Sequence, residues 1–374
     1  MPQYRQYELR SVCTRLSSGK GIPASQVFDE GAFPVYGGNG LRGYTDHSNF
    51  KGDCAIIGRQ GAFCGNVRYF SGEAYMTEHA VVVCANENHN TRYLAYLLSR
   101  MNLGRLSGQS AQPGLSVKTL AKQIVDLPPL DVQNKVVAIL SSIDSKIALN
   151  EKINDNLEQQ AQSYFQELFV DNAAPEWTTG TISDLGVVVG GSTPSKAKPE
   201  YYTESGIAWI TPKDLSINKS KFISHGGNDI TELGLKNSSA TIMPEGTVLF
   251  SSRAPIGYIA IAAGEVTTNQ GFKSVVPKPE IGTPFVYFFL RHNLPVIEGM
   301  ASGSTFKEVS GNTMKNIPAA IPDADTLAKF NDFCTPIFAQ QRILEEQSQS
   351  LAVLRDSLLP KLMSGEIDVS GISI

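Results

Sequence analysis

Side chains that form several hydrogen bonds at once occur on glycine-rich loops in the first third of this chain. They lie within Tyr36-Gly-Gly-Asn39-Gly-Leu-Arg42-Gly-Tyr44 and Gly58-Arg59-Gln60-Gly61. Because arginine can donate two hydrogen bonds to guanine, and Asn or Gln can pair with adenine, such loops suit the base edges of DNA. Turn formation explains Gly, Asn and Ser equally well, so both interpretations stay open at each position. The candidate contact residues are Tyr36, Asn39, Arg42, Tyr44, Arg59, Gln60 and Arg68.

A second set of the same kind occupies loops between residues 190 and 271. Its lysines suit phosphates, whose contacts position a protein on DNA without specifying sequence. The candidates are Ser192, Thr193, Lys196, Lys198, Lys213, Ser252, Arg253, Asn269 and Gln270. A Ser-Gly-polar tetrad at residues 107–110 and another at 302–305 add Gln109, Ser110, Ser304, Thr305 and the nearby Lys307.

The net charge of −4 is unfavourable for DNA binding until it is divided by segment. Residues 1–129 carry 13 basic and 9 acidic side chains, and residues 177–322 carry 12 and 11. Residues 130–176 carry 3 and 8, and residues 323–374 carry 4 and 8. A local basic face can therefore form on each of the two larger segments. The acidic segments either repel DNA and bind a basic protein, or are simply well solvated.

The two acidic segments have the apolar spacing of long amphipathic helices, from about Leu130 to Phe169 and from about Ala324 to Met363. A helix of that length reaches roughly 60 Å. We expect the two helices to pair as an antiparallel coiled coil, and packing of each helix on its own domain is the alternative. The residues expected in the apolar stripes are Leu140, Ile143, Ile147, Leu157, Ile337, Leu344, Leu351, Leu354 and Leu358.

One arrangement occurs twice in the chain: a strand-rich stretch ends in a Pro-containing segment, and a long helix follows. Placing Ile124 on Ile317 aligns Pro129 with Pro322, an offset of 193. Two such halves predict a pseudo-two-fold axis. Many short strands between glycine turns indicate curved sheets in an α+β fold, rather than a doubly wound parallel sheet. The predicted parts are a mixed domain at 1–129, a helix at 130–171, a mixed domain at 172–322, and a helix with a tail at 323–374.

Catalytic patterns are incomplete in this sequence. No phosphate-binding loop G-x-x-x-x-G-K-[ST] is present, and no glycine-rich S-adenosylmethionine loop follows a strand. Asp126-Leu-Pro-Pro129 departs from the D/N-P-P-Y/F motif of amino-methyltransferases, because Leu follows the acid. The five histidines lack metal-ligand spacing. We therefore predict no catalysis, metal or cofactor in this chain, which favours a binding or scaffolding role.

Composition indicates a soluble protein of a reducing cytoplasm. The sequence contains no run of 18 apolar residues, so no membrane span is predicted. The first residues lack an apolar signal core. The five cysteines are odd in number and form no C-x-x-C pair, which argues against structural zinc and against a disulfide framework.

With these motifs the chain resembles the specificity subunit of Type I restriction-modification systems over nearly its whole length. The first half contributes Phe33-Pro-Val-Tyr36-Gly-Gly-Asn39-Gly and Ile57-Gly-Arg59-Gln60-Gly61-Ala. The second half contributes Gly191-Ser-Thr-Pro194-Ser-Lys, Trp209-Ile-Thr-Pro-Lys-Asp-Leu215, Ser252-Arg253-Ala-Pro-Ile-Gly257, Thr268-Asn-Gln-Gly271-Phe and the ending Leu354-Arg-Asp-Ser-Leu-Leu-Pro360-Lys-Leu-Met-Ser-Gly365-Glu-Ile.

The resemblance implies two target-recognition domains, each of which reads one half of a split, asymmetric double-stranded DNA sequence. It also implies that the two long helices form a spacer between these domains and dock two methyltransferase subunits. Those partners would carry AdoMet and methylate adenine N6, and restriction subunits would complete the complex. The acidic net charge departs from a basic DNA binder, so tight binding is expected to need the methyltransferase partners.

Two other classes of function remain as alternatives. The first is a protein-binding scaffold or inhibitor built from recognition-like domains that no longer read DNA. The second is a fused nuclease-methylase, which the incomplete catalytic motifs disfavour. A scaffold predicts no sequence-dependent DNA binding with partners present, whereas an enzyme predicts activity from the purified chain alone.

Overall fold

The computed structural model describes residues 3–107, 114–303 and 307–372, which divide into two compact units. Unit 1 comprises residues 1–147 and 350–374, and unit 2 comprises residues 148–349. Each unit holds one strand-rich domain and a part of each long helix. None of the helices in the described ranges has the length and apolar character needed to cross a membrane.

Unit 1 is built on a mixed sheet. Its strands are β1 (Arg5–Glu8), β2 (Cys13–Ser18), β3 (Phe33–Gly37), β4 (Gly40–Thr45), β5 (Phe50–Gly58), β6 (Val67–Met76), β7 (Ala80–Ala85) and β8 (Ile124–Leu127). Its helices are α1 (Thr91–Arg100), α2 (Val117–Ala121) and the first part of α3 (Leu130–Gln166), which continues in unit 2 as a π turn at Glu167–Asp171. Six strands pair in the order β2-β7-β5-β6-β3-β4, where β3 runs parallel to β6, and β1 pairs with β8.

Unit 2 contains more and shorter elements. Its strands are β9 (Thr178–Thr181), β10 (Gly186–Gly190), β11 (Tyr202–Thr203), β12 (Ile207–Ile210), β13 (Phe222–Ile223), β14 (Asn228–Ile230), β15 (Val248–Ser252), β16 (Ile256–Ala262), β17 (Thr267–Thr268), β18 (Lys273–Pro277) and β19 (Pro318–Ile321). Its helices are α4 (Ile182–Leu185), α5 (Pro212–Ile217), α6 (Glu232–Lys236), α7 (Thr283–His292), α8 (Leu294–Gly299), α9 (Gly311–Lys315) and the first part of α10 (Ala324–Ser364). The sheets are β10-β18-β15-β16-β13, β11-β14-β12-β17 and β19-β9.

The predicted α+β class is confirmed, because each strand-rich domain combines irregular sheets with separate helices. The sheets are irregular, with register shifts at Val35/Tyr36 in β3 and at Phe250/Ser252 in β15. Such bulges bend a strand and increase its local twist, as the glycine-rich sequence predicts. Helix α1 follows the main sheet of unit 1 in the chain, and helix α7 follows β18 of unit 2.

Both faces of the main sheet in unit 1 are covered. One face packs with α1 and the long helices around Leu94, Leu98, Val136 and Leu140, and the other packs around Met76 and Val82. In unit 2, α7 packs against the long helices in an aromatic cluster that includes Phe165, Phe285, Phe288 and Phe330. Each large aromatic side chain buried in this way contributes a few kcal/mol.

Within each unit the two long helices lie antiparallel. In unit 1, Lys135 Nζ bonds the Ser370 carbonyl beyond α10, and Asp144 pairs with Arg355. In unit 2, the successive contacts along α3 are Asn150 with Gln347, Asn154 with Gln341, and Tyr164 with Phe330. In both units the partner number falls as the α3 number rises.

The repeat is real, but its offset is 194 rather than 193. Ser116 caps α2 and Ser310 caps α9, each accepting a bond of 3.0 Å from a threonine N–H three residues on. Strand β8 begins at Ile124 and strand β19 at Pro318. Placing Ile124 on Ile317 was therefore wrong by one residue: Ile124 is 51% exposed, whereas Ile317 is 1% exposed. Since side chains alternate along a strand, a slip of one residue exchanges the buried and exposed faces.

Candidate nucleic-acid interface

In unit 1, backbone hydrogen bonds hold three of the polar loops together. Thr77 N–H donates to the Tyr36 carbonyl over 2.9 Å, and Arg59 N–H donates to the His79 carbonyl over 3.0 Å. The N–H of Leu115 donates to the Arg59 carbonyl over 2.8 Å, so the segment that precedes α2 joins the same cluster. These bonds place the β3–β4 hairpin, the loop after β5 and the β6–β7 turn side by side.

Three of the predicted side chains of this cluster, Tyr36, Tyr44 and Arg68, lie close enough to influence one another. Burial and the neighbouring Tyr44 raise the pKa of the Tyr36 hydroxyl, and Arg68 acts to lower it. The guanidinium of Arg68 also lies over Gly40, where a Cβ would come within 3.0 Å of Nη1 and where φ is +101°. A glycine is therefore required at that turn.

Three candidate cations of unit 1, Arg42, Arg59 and Arg68, are exposed or half-buried, and no described ion pair joins them to an acid. Asn39, Arg42, Gln60 and Arg68 are exposed, while Tyr36, Tyr44 and Arg59 are half-buried. In the part of unit 1 that the structure describes, the nearby ion pairs are His47–Asp46, Lys51–Glu73 and His79–Glu78, and none includes Arg42, Arg59 or Arg68. Their donors are thus available to an anion or to base edges.

In unit 2, an equivalent loop cluster is joined by the same kind of bond. Ser192 N–H donates to the Thr268 carbonyl over 2.8 Å, and Ser252 N–H donates to the Gly271 carbonyl over 2.8 Å. Val309 N–H donates to the Ser252 carbonyl over 3.0 Å, which corresponds to the bond from Leu115 to Arg59 in unit 1. Three predicted loops therefore converge, with Val309 alongside them.

The side chains of this second cluster interact with each other. The Thr193 hydroxyl donates to the Gln270 amide oxygen, and Trp209 Nε1 donates to the Ser192 carbonyl over 3.0 Å. Arg253 Nη1 lies 3.6 Å from a carboxylate oxygen of Glu308, and Lys273 Nζ lies 3.3 Å from the other. Lys196, Lys198, Lys213, Gln270 and Lys307 are exposed.

Two predicted residues have structural roles instead. Ser252 is fully buried, and its hydroxyl donates to the Gly271 carbonyl over 3.1 Å, so we withdraw it as a DNA contact. The Asn269 side chain accepts from Gly271 N–H over 2.8 Å and shapes the loop. Gln109, Ser110, Ser304 and Thr305 lie outside the described residues.

Sequence reasoning missed Lys273 and Glu308. Lys273 directly follows the Thr268-Asn-Gln-Gly271-Phe motif, so its charge at the start of β18 was a usable signal. Glu308 gave no signal, because an acid in a candidate DNA-binding loop contradicts the electrostatic rule by which such loops are found.

The predicted stripe residues of the long helices are mostly buried or half-buried. Leu140, Ile143 and Leu344 are buried, and Ile147, Leu157, Ile337, Leu351 and Leu358 are half-buried. Leu354 is 46% exposed, which corrects its assignment to the stripe. Arg355 lies on the same face of α10 as Leu351 and Leu358. Its Nη1 lies 3.2 Å from a carboxylate oxygen of Asp144.

In unit 1, Asp144 on α3 links α1 to α10. It accepts from the Tyr96 hydroxyl and lies 3.3 Å from Arg92 Nη2, both on α1. The Asp144 side chain is 25% exposed and its arginine partners, Arg92 and Arg355, are 24% and 32% exposed. Burial, together with the bond to Asp144, raises the pKa of the Tyr96 hydroxyl.

In unit 2, Glu158 on α3 holds a buried lysine. Lys221 Nζ lies 2.8 Å from Glu158 Oε2 and 2.8 Å from Gln341 Oε1, and 3.3 Å from the centre of the Phe338 ring. Glu158 also accepts from Tyr287 and Arg291 on α7. The Lys221 side chain is 7% exposed, and its burial outweighs the attraction of Glu158 and lowers its pKa to about 8. Burial acts to raise the pKa of Glu158, but Lys221, Arg291 and Gln341 together outweigh burial, and the pKa is lowered.

The two loop clusters supply hydrogen-bond donors and positive charge rather than a metal site. Within the described ranges, no group of three or more His, Cys, Asp or Glu side chains is arranged to hold a metal ion. Guanidinium, ammonium, amide and hydroxyl groups on converging loops can bind phosphates and base edges.

The sequence profile of the family described as "Type I restriction modification DNA specificity domain" matches residues 2–159 and 175–352. The chain is 37% identical over 194 residues to the Type I restriction enzyme MjaIX specificity subunit of Methanocaldococcus jannaschii. This alignment covers 50% of this chain and 45% of that protein. The chain is 37% identical over 135 residues to the EcoprrI specificity subunit of Escherichia coli, covering 35% and 34%. These alignments span less than half the length of either relative.

A longer alignment and one solved structure extend the comparison. The HindI specificity subunit of Haemophilus influenzae is 22% identical over 330 residues, covering 68% of this chain and 71% of that protein. The crystal structure of a Type I restriction-modification S subunit from M. genitalium superposes with a TM-score of 0.68 at 17% identity, covering 96% of both chains. At that identity, the superposition shows that the two proteins share a fold.

Proposed function

Because the chain belongs to the family of Type I restriction-modification DNA specificity domains, we propose that it selects the DNA sequence for a Type I restriction-modification complex. In this proposal each strand-rich domain reads one half of a bipartite double-stranded DNA target. The chain performs no catalysis. It docks two methyltransferase subunits, which carry AdoMet and methylate adenine N6, and restriction subunits join the same complex in the cytoplasm.

One observation carries the proposal: each unit gathers polar loops around the same structural feature. In both units the loop segment before a serine-capped short helix donates a backbone bond to the end of a central strand, at Arg59 or at Ser252. Around that point unit 1 offers Arg42 and Arg68, and unit 2 offers Arg253 and Lys273. Since the donors differ between the units, the two half-sites should differ, and the target should be asymmetric.

The proposal is tested by sequencing the methylome of cells that express this chain with a cognate methyltransferase subunit, and of cells that express either protein alone. We expect a bipartite N6-methyladenine motif only when both are present. If both proteins are soluble and associated but no motif appears, a scaffold that no longer reads DNA becomes the better account.

A matched pair of variants assigns the half-sites to the units. Arg42→Ala is expected to relax or weaken the first half-site alone, and Arg253→Ala the second alone. A good arginine–guanine contact contributes about 1–3 kcal/mol of discrimination, so the frequency of the wrong base should rise about tenfold at one position. An equal loss in both halves for either variant would indicate misfolding instead.

A further inference from the structure

An acidic side chain lies within the loop cluster of unit 2, where the proposed function requires a polyanion to bind. Glu308 lies 3.6 Å from Arg253 Nη1 and 3.3 Å from Lys273 Nζ. Its side chain is 36% exposed, and those of Arg253 and Lys273 are 37% and 16% exposed. Because it neutralises part of two cations that could contact phosphates, this carboxylate lowers nonspecific affinity for DNA.

The backbone fixes Glu308 in this position. Glu308 N–H donates to the Ser302 carbonyl over 2.9 Å, and Ser302 N–H donates to the Glu308 carbonyl over 3.1 Å. The next residue, Val309, is fully buried and bonds to Ser252 beside Arg253. The backbone of Glu308 therefore lies beside that of Arg253, with which it forms an antiparallel bridge next to the end of β15.

Lys273 is fixed as well. It is the first residue of β18, and its ammonium group also lies 3.4 Å from the Gln270 carbonyl. The three charged groups thus come from three segments whose backbones are bonded to one another. Of the three, Arg253 has the longest side chain and the highest exposure, so it is the group that an added DNA base can reach most easily.

In the comparable cluster of unit 1, the acid on the β6–β7 turn, Glu78, pairs with His79. Among the residues that the structure describes, no ion pair joins an acid to Arg42, Arg59 or Arg68. An arginine paired with a carboxylate is therefore not a requirement of this type of loop cluster. The carboxylate in the cluster of unit 2 needs a reason specific to the second half-site.

We propose that Glu308 is a positioning residue that determines base choice in the second half-site by holding the guanidinium of Arg253. A free guanidinium can turn toward a phosphate or toward guanine. One that is paired with a carboxylate, as Arg253 is with Glu308 at 3.6 Å, is drawn to one side by its charge, and its other N–H groups can present the two-donor edge that guanine accepts. The inference rests on the proposed function, and it assigns specificity to a residue that weakens overall affinity.

The test compares Glu308→Gln with Glu280→Gln in the complete complex with the methyltransferase subunit. Glutamine keeps the size of the side chain and removes its charge, and Glu280 is an exposed acid beyond the opposite end of β18. For Glu308→Gln, methylome sequencing should show one position of the second half-site losing about tenfold or more of its discrimination, with the first half-site unchanged. Glu280→Gln should leave both half-sites unchanged.

A double variant distinguishes positioning from direct reading of a base. If Glu308 acts through Arg253, then Arg253→Ala relaxes the same position, and the double variant relaxes it no further. If Glu308→Gln relaxes a position that Arg253→Ala leaves intact, the carboxylate contacts a base itself, and the positioning role is wrong. An unchanged second half-site also overturns the inference, because the ion pair is then an ordinary surface contact.

A binding measurement gives an independent readout. With a double-stranded probe that carries the methylated motif, the plot of log K against log salt should be steeper by about one unit for Glu308→Gln than for the wild type, because a released cation gains a phosphate. An equal slope would count against the inference. The two proposals fail separately: absence of any motif with the wild-type chain refutes the proposed function, whereas an intact motif that Glu308→Gln does not alter refutes only the role of Glu308.

Discussion

In both units the same types of side chain connect the strand-rich domain to the long helices, but the two clusters differ in how deeply they are buried. In each, an acid on α3 accepts from a tyrosine and an arginine on the helix that packs against the sheet. Asp144 does so with Tyr96 and Arg92 of α1, and Glu158 does so with Tyr287 and Arg291 of α7. An arginine of α10 completes the first cluster, and a glutamine of α10 completes the second.

The difference is the buried lysine of unit 2. Lys221 is 7% exposed, and the segment around it is held further by Glu345, which accepts from the Lys221 and Phe222 N–H groups over 2.8 and 3.0 Å. Unit 1 relies on side chains that are about one-quarter exposed, where water screens their interaction. A buried ion pair adds little net stability when intact, but losing one partner is costly because the other charge stays desolvated.

The largest effect is therefore expected from Glu158→Ala. It leaves Lys221 and Arg291 without their shared acid and should lower the free energy of unfolding of unit 2 by about 3–5 kcal/mol. Both tryptophans, Trp177 and Trp209, belong to unit 2, so urea titration followed by tryptophan fluorescence reports on this unit. The control is Asp155→Ala, an exposed acid on the same helix. If Glu158→Ala lowered the free energy of unfolding by about 1 kcal/mol or less, the two units would not differ in how much their acid contributes.

The next effect is a pH dependence that arises from Lys221 in unit 2. The pKa of Lys221 falls from 10.5 in the unfolded chain to about 8 in the folded protein. The unfolded chain therefore binds this proton more tightly, and the stability contributed by Lys221 is lost as pH falls from 10.5 through about 8. The free energy of unfolding of the wild type, minus that of Lys221→Met, should rise by about 2 kcal/mol between pH 7 and pH 9.5.

This difference must be measured against a variant because other groups act in the opposite direction. Burial raises the pKa of the Cys334 thiol to about 12, and it also raises the pKa of the Tyr287 hydroxyl. Both contribute stability that is lost as pH rises, and they remain in Lys221→Met. Lys219→Met, at an exposed position two residues away, serves as the control and should show no such difference. A flat difference curve would mean that Lys221 stays charged throughout.

Local periodicity was enough to predict much of this fold. The apolar spacing predicted α3 and α10 as long helices, and the glycine turns predicted that each strand-rich domain consists of many short strands. The repeat was also visible, although its offset was misjudged because an isoleucine stands near the start of both β8 and β19. The serine caps of α2 and α9, together with the burial of Ile317 and the exposure of Ile124, reveal the slip.

Long-range polar pairs were beyond sequence reasoning. Lys221 meets Glu158 and Gln341 across 63 and 120 residues, and nothing local marks any of them as partners. Ser252 was chosen for its hydroxyl, yet the sheet buries it, because a strand that is covered on both faces has no exposed side. Loops can be recognised from their residue types, but the direction of each side chain depends on contacts with segments far away in the chain.

The smallest effect is expected at the junction of unit 1. Asp144→Ala removes the acceptor shared by Tyr96, Arg92 and Arg355, but these groups are partly exposed, and water replaces the lost bonds. The loss should be about 1 kcal/mol, measured as faster amide hydrogen exchange in α1. Leu354→Ala is the matched control, since that side chain is 46% exposed and should change stability by less than about 0.5 kcal/mol. If Asp144→Ala proved as costly as Glu158→Ala, depth of burial would not be what distinguishes the two junctions, and the shared tyrosine–acid–arginine arrangement itself would determine the energetics of both.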